Sequence, residues 1–172
     1  MNLNQYIASV PDFPKEGILF RDITPLLANA DALSYCIEQL KNKTTTWQAT
    51  AIVGAESRGF IFGVLLAQAL GIKFIPARKP GKLPRATYQA SYSLEYGEDT
   101  LEIHQEDLNA EDRVILIDDL LATGGTAQAC IKLIQSSGAE VLGAAFVIEL
   151  LGIGGAEALA GCPFVSLLQY PA

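Results

Sequence analysis

Short apolar runs alternate with helix-length segments along this chain, and that alternation restricts the fold more than any other feature of the sequence. ATAIVGA (49–55) reads as a buried strand, RGFIFGVLLAQALG (58–71) as a largely buried helix stopped by Gly71, and IKFIPA (72–77) as a second strand. DRVILID (112–118) reads as a third strand and TAQACIKLIQSSG (126–138) as a helix closed by Gly138. AEVLGAAFVIEL (139–150) and FVSLLQY (164–170) supply a fourth and a fifth strand, and the helix DALSYCIEQLK (31–41) precedes the first. Strands that alternate with helices in this way define an α/β fold, with a mostly parallel central sheet flanked by helices. The 172 residues, half of them hydrophobic, suit one domain spanning 1–172 with a sizeable core.

The charge balance narrows the partners. A formal net charge of -7 disfavours nucleic acid and anionic membrane surfaces as ligands. Against that background Arg78, Lys79, Lys82 and Arg85 place four of the twelve Lys and Arg within eight positions, a local attraction for an anionic small molecule. Cys36, Cys130 and Cys162 are odd in number and show no C-x-x-C spacing, which argues against a disulfide framework and a zinc site. The opening MNLNQYIASVPDF has neither a basic leader nor a signal-length apolar core, so a reducing cytoplasmic location is expected.

Residues 79–112 break the βαβ rhythm. They begin rich in Pro and Gly and then turn acidic, with eight of the nineteen carboxylates between Glu95 and Asp112. ATYQASYSLEYGEDTLEIH (86–104) alternates weakly and suggests two exposed strands joined by a turn at Gly97. His104, the chain's one histidine, falls on the second of these; it is expected to be exposed and is assigned no role.

The chemistry concentrates in VILIDDLLATGGT (114–126). Thr123-Gly124-Gly125-Thr126 lies between a strand and a helix, where free backbone N–H groups and hydroxyls can hold a phosphate. A plain turn with Thr123 or Thr126 as the helix cap is the simpler alternative. Asp118 and Asp119, adjacent at the end of the strand, weigh against it, because two carboxylates there need partners. With no G-x-x-x-x-G-K-[ST] and no G-x-G-x-x-G after a strand, P-loop and dinucleotide sites are disfavoured. A ligand with a phosphate and vicinal hydroxyls a short distance apart, a ribose 5-phosphate, satisfies both halves of the stretch.

ILIDDLLATGGT resembles the phosphoribosyl-pyrophosphate (PRPP) motif of type I phosphoribosyltransferases. DFPKEGILFRDITPLL, AESRGFIFG, RKPGKLPR, YSLEYG and PFVSLLQY resemble, in order, segments of the adenine phosphoribosyltransferase family. The resemblance implies transfer of a phosphoribosyl group from PRPP to adenine in purine salvage, giving AMP and pyrophosphate. It also implies a homodimer, and Mg²⁺ as cofactor, carried by the substrate and possibly touched by Asp118 and Asp119. By position it assigns Ala122, Thr123, Gly124, Gly125 and Thr126 to the 5-phosphate, and Asp118 and Asp119 to the ribose hydroxyls. Glu56, Ser57 and Arg58, in a loop that often carries a cis peptide, would meet pyrophosphate together with Arg78, Lys79 and Lys82. Phe20 and Leu150 would sandwich adenine, with Leu19 and Arg21 at its edge, and residues 1–30 would contribute a base-binding hood. Glu95 would move a proton as the catalytic carboxylate, beside Tyr96 in a flexible lid spanning 79–100. A phosphoribosyltransferase for another base (xanthine, hypoxanthine or orotate) and a PRPP-binding regulator without catalysis are the alternatives. GILFRD and YSLEYG disfavour the first, and the short, weakly basic N-terminal part disfavours a DNA-reading regulator.

Overall fold

The computed structural model of the chain describes residues 1–93 and 98–172. A five-stranded parallel sheet runs in the order β4-β3-β7-β8-β9, from β3 (Ala51–Ala55), β4 (Lys73–Ala77), β7 (Arg113–Leu121), β8 (Glu140–Leu151) and β9 (Phe164–Pro171). Sequence order therefore reverses between β3 and β7: one pair of strands extends outward from β3, and the other three extend from β7. In open α/β sheets the crevice beyond the strand C-termini at such a reversal is where ligands bind.

Side chains alternate across this sheet with the strand period of two. Val114 and Leu116 join Val53, Ala144 and Phe146 on one face, while Ile115 and Ile117 join Ile52, Ala145 and Val147 on the other. The first face is covered by α4 (Gly125–Ser136), through Ala129, Cys130 and Leu133, and by Leu101 and Ile103 of a hairpin, β5 (Thr87–Ser93) with β6 (Glu98–His104). On the second face lie α2 (Ala30–Thr44), which follows the short α1 (Thr24–Leu27), and α3 (Arg58–Leu70), through Leu40, Phe62 and Leu66. Each fully buried Leu, Ile or Phe contributes about 1.5–3 kcal/mol of apolar transfer, so a sheet sandwiched on both faces supplies a rigid floor for the loops at its edge.

Local chemistry explains the element ends. Asn29 caps α2 by accepting the Ala32 N–H at 2.9 Å, with Asp31 in the first turn and Lys41 and Lys43 in the last. Gly71 closes α3 in the left-handed region at φ +70°. The Phe74 ring packs where a Cβ on Gly54 or Gly63 would sit, at 2.8 Å and 2.4 Å, which is how α3 lies so close to its sheet.

Several sequence expectations are corrected. β7 extends past the expected end at Asp118 to Leu121, so Asp119 as well as Asp118 lies within the strand. α4 starts at Gly125 and its cap is Gly124 at φ +86°, not Thr123 or Thr126; no side chain caps this helix. An antiparallel hairpin of β1 (Ala8–Pro11) and β2 (Leu19–Asp22) forms in the N-terminal part, and a short helix α5 (Gly155–Ala158) follows β8; neither is signalled by the apolar pattern. His104 is buried, not exposed.

Candidate active site

Three loops reach the reversal point from the C-terminal edge of the sheet: residues 56–58 after β3, 78–82 after β4, and 122–126 after β7. Glu56–Ser57 is a cis peptide, as the resemblance implies. Arg58 opens α3 and its Nε lies 2.8 Å from Asp119 Oδ2, an ion pair that spans the gap between the loops after β3 and β7. Gly59 follows Arg58 because nothing larger fits: a Cβ there would lie 2.9 Å from Asp118 Oδ1 and 3.1 Å from the Ile117 carbonyl.

Desolvation, and then the charge of Asp119, pushes the Asp118 carboxyl well above its ordinary range; Arg58 opposes this only in part. Asp118 Oδ1 accepts the Asp119 backbone N–H at 2.8 Å. Glu56 behaves oppositely. Burial raises its carboxyl, but the Lys79 N–H at 2.6 Å, Lys82 Nζ at 3.3 Å and Arg78 Nε at 3.4 Å outweigh burial and hold it below its ordinary value. Arg78 Nε is buried and makes no hydrogen bond among the described residues. The Lys79 ammonium reaches Asp99 on β6, whose carboxylate also accepts from the Tyr92 hydroxyl at 3.1 Å.

Three clefts of different chemistry meet at Arg58. The first, about 180 Å³, is lined by Asp118, Asp119, Ala122–Thr126 and Phe146. Its end wall is the N-terminus of α4, which no side chain caps, so its N–H groups remain available to an anion. A second, about 330 Å³, adds Glu56, Ser57 and Lys79 to the same aspartates. The third, about 450 Å³, is mostly apolar and is lined by Val10, Phe13, Phe20, Ile23 and Leu27, with Asp22 and Thr24. Arg58 lines all three, and its guanidinium lies 5.8 Å from the Phe20 ring centroid.

The residues named from the sequence are only partly gathered. Phe20 stands in the apolar cleft with Phe13 edge-on at 5.1 Å, whereas Leu150 is outside that lining, half-buried on β8 beside Tyr170. Arg21 stacks on the Tyr170 ring at 4.2 Å and donates to Ser9 Oγ at 2.6 Å, which ties the hairpin carrying Leu19 to the end of the sheet. Glu95 and Tyr96 lie outside the described residues. Phe13, Tyr92 and Asp99 join the site without having been singled out; the DFP that opens the DFPKEGILFRD segment was the available signal for Phe13.

A family model for the phosphoribosyl transferase domain matches residues 22–156. The adenine phosphoribosyltransferase of Francisella tularensis subsp. novicida is 56% identical over 168 residues, 95% of each chain. The adenine phosphoribosyltransferase of Thermoanaerobacter pseudethanolicus superposes with a TM-score of 0.95 at 45% identity, covering 98% of both chains. That of Saccharomyces cerevisiae, solved with an imino-altritol bisphosphate and adenine, gives 0.91 at 40% identity over 96% of both. Fold and site together define a phosphoribosyltransferase of type I. Within that class the chain belongs to the adenine phosphoribosyltransferase family.

Proposed function

We infer that this chain transfers the 5-phosphoribosyl group of PRPP to adenine, releasing pyrophosphate and forming AMP in purine salvage. The observation that carries the reading is the meeting of an anion-binding turn, a polar cleft that carries Lys79 beside the aspartates, and an apolar cleft at the single side chain Arg58. PRPP presents a phosphate at one end and a pyrophosphate at the other, and the base must approach the carbon between them.

In this reading Ala122–Thr126 take the 5-phosphate and Asp118 and Asp119 accept from the ribose hydroxyls. Arg58, Arg78, Lys79 and Lys82 hold pyrophosphate beside Glu56 and Ser57. Arg78 Nε, buried and ion-paired with Glu56 at 3.4 Å but without a hydrogen bond among the described residues, is a donor of the kind a pyrophosphate oxygen would satisfy. Adenine enters the apolar cleft and stacks on Phe20, with the Leu19 and Arg21 backbone at its edge; Leu150 lies outside that cleft and is left without a role at the base. The C1–O bond to pyrophosphate breaks as the C1–N9 bond forms, and positive charge develops on the ribose while they exchange. Asp118 and Asp119 stabilise that charge, the basic side chains stabilise the leaving group, and N9 gives up its proton, with Glu95 the carboxylate assigned to purine proton transfer. Water competes with adenine for C1, so the site must exclude it while PRPP is bound.

The donor set also fits Mg²⁺ arriving on the substrate. Among the described residues no group of three or more His, Cys, Asp or Glu could hold a metal by itself, yet Asp118 and Asp119 could complete a shell of substrate oxygens and water. When bound, Mg²⁺ would neutralise pyrophosphate charge. A homodimer and a reducing cytoplasmic setting belong to the same reading. No described helix is long and apolar enough to cross a membrane, and all three cysteines are free, with burial pushing the Cys36 thiol up to about 12.

The deciding experiment measures pyrophosphate release from PRPP and Mg²⁺ with adenine, hypoxanthine, guanine, xanthine or orotate offered separately. Release with adenine, lost in the Asp118→Ala/Asp119→Ala double variant, is expected. Preference for another base would overturn the assignment of the Phe20 cleft, and PRPP binding without release would favour the regulator.

A further inference from the structure

The basic loop is held from beneath by one strand, β6. At its start Arg78 and Glu102 exchange backbone hydrogen bonds of 2.9 Å and 2.7 Å, and the Gly81 N–H reaches the buried Glu102 carboxylate at 3.3 Å. At its far end the Arg85 backbone N–H points at Nε2 of the buried His104, 3.3 Å away. Two donors face the ring, this N–H at Nε2 and Arg85 Nη2 at Nδ1, and a neutral imidazole receives only one; the Asp107 carboxylate, which can only accept, favours the ring proton on Nδ1 and leaves Nε2 to receive the Arg85 N–H. Nδ1 lies 3.1 Å from Asp107 Oδ2, the acceptor that this tautomer needs.

Charged groups crowd the Nδ1 side of the ring. Arg85 Nη2 stands 2.9 Å from Nδ1 and 2.8 Å from both Asp107 oxygens, and Nη1 reaches Glu106 at 3.3 Å. From β4, Lys73 binds the Asp107 carbonyl at 3.0 Å and Asp112 at 2.7 Å. Once a second proton arrives on the imidazole, Nε2–H faces the Arg85 N–H, two donors in a buried place with no acceptor between them. Ring or loop must then move.

We propose that His104 is a positioning residue for the reaction: neutral and protonated on Nδ1, it pins the Arg85 end of loop 78–85, and on protonation it releases that end. The proposal rests on the reading that Arg78, Lys79 and Lys82 receive pyrophosphate. It places the consequence in PRPP binding and not in adenine binding, because Lys79 of the loop lines the cleft beside the aspartates and no residue of the loop lines the apolar one.

His104 is the one histidine in the sequence, so a long-range ¹H–¹⁵N imidazole spectrum of the untagged protein reports this ring alone. The Nδ1–H pattern is expected at about pH 8; an Nε2–H pattern overturns the proposal without any variant. His104→Gln keeps an acceptor near the Nε2 position and cannot titrate, while His104→Leu removes the acceptor. From about pH 8 to pH 5 the KM for PRPP of the wild type should rise about tenfold more than that of His104→Gln, the equivalent of one lost hydrogen bond. PRPP's own ionisation is common to both proteins. His104→Leu should show the raised KM throughout, and the KM for adenine should not distinguish the three. Equal pH dependence in the wild type and His104→Gln overturns the proposal. Lys82→Ala separates the two readings: an unchanged KM for PRPP there would sink the pyrophosphate assignment and with it the kinetic role of His104, while the imidazole spectrum still decides whether the latch exists.

Discussion

Burial and the charge of Asp119 hold the Asp118 carboxyl well above its ordinary range, so ionising it costs folding free energy. For an acid whose folded pKa is raised, the cost is absent below the unfolded value, grows as pH rises, and is complete above the folded value. Asp118→Asn, which has no charge to desolvate, should therefore melt at a higher temperature than the wild type at neutral pH, and the gap should close toward about pH 4. The same substitution should lower kcat/KM by about 10- to 100-fold, the scale of losing a hydrogen bond to a charged group. Calorimetric melting across pH, paired with steady-state kinetics, checks both; a lower melting temperature at neutral pH would refute the electrostatic account. Asp118, Asp119 and residues 122–126 are legible as a site because they are contiguous, so their spacing survives folding unchanged. The Arg58–Asp119 pair, Lys79 on Asp99 and the buried His104 are not legible, because each partner comes from a different part of the chain.

At the scale of elements, the phosphate turn is braced from behind by α5. A Cβ on Gly155 would lie 2.2 Å from the Ala122 carbonyl and 2.9 Å from Leu121 Cγ, and one on Gly124 would lie 2.5 Å from Ala158 Cβ. Gln128 adds a hydrogen bond to the Ala158 carbonyl at 2.9 Å. Gly155→Ala should therefore displace the turn, cost about 1–3 kcal/mol of stability and raise the KM for PRPP more than that for adenine. Thermal melting and the two KM values test this; a variant with wild-type kinetics would mean that the turn is not held by α5. The five sheet strands and three long helices follow from apolar periodicity. The β1–β2 hairpin does not, because Pro11, Pro14 and Gly17 interrupt its alternation and none of its strand residues is buried. Its docking shows only in the fold, where Arg21 meets Tyr170 near the other end of the chain.

For the molecule as a whole, the net charge of -7 repels a polyanionic substrate, and the local cations at 58 and 78–85 must overcome it. Screening shortens from about 10 Å at 0.1 M salt to about 3 Å at 1 M. Raising ionic strength over that range should increase the KM for PRPP and leave that for neutral adenine little changed, which a salt series at constant free Mg²⁺ would measure. A parallel rise in both would assign the effect to the fold rather than to the cations at 58 and 78–85. The sequence by itself determined the layered α/β class, the positions of the strands, and the phosphate and ribose turn, since these depend on local periodicity and on residues adjacent in the chain. Only the tertiary structure decided the order of the strands. That order puts the reversal between β3 and β7 and lets Arg58 join three clefts, because strand pairing is a long-range choice set by packing on both faces of the sheet.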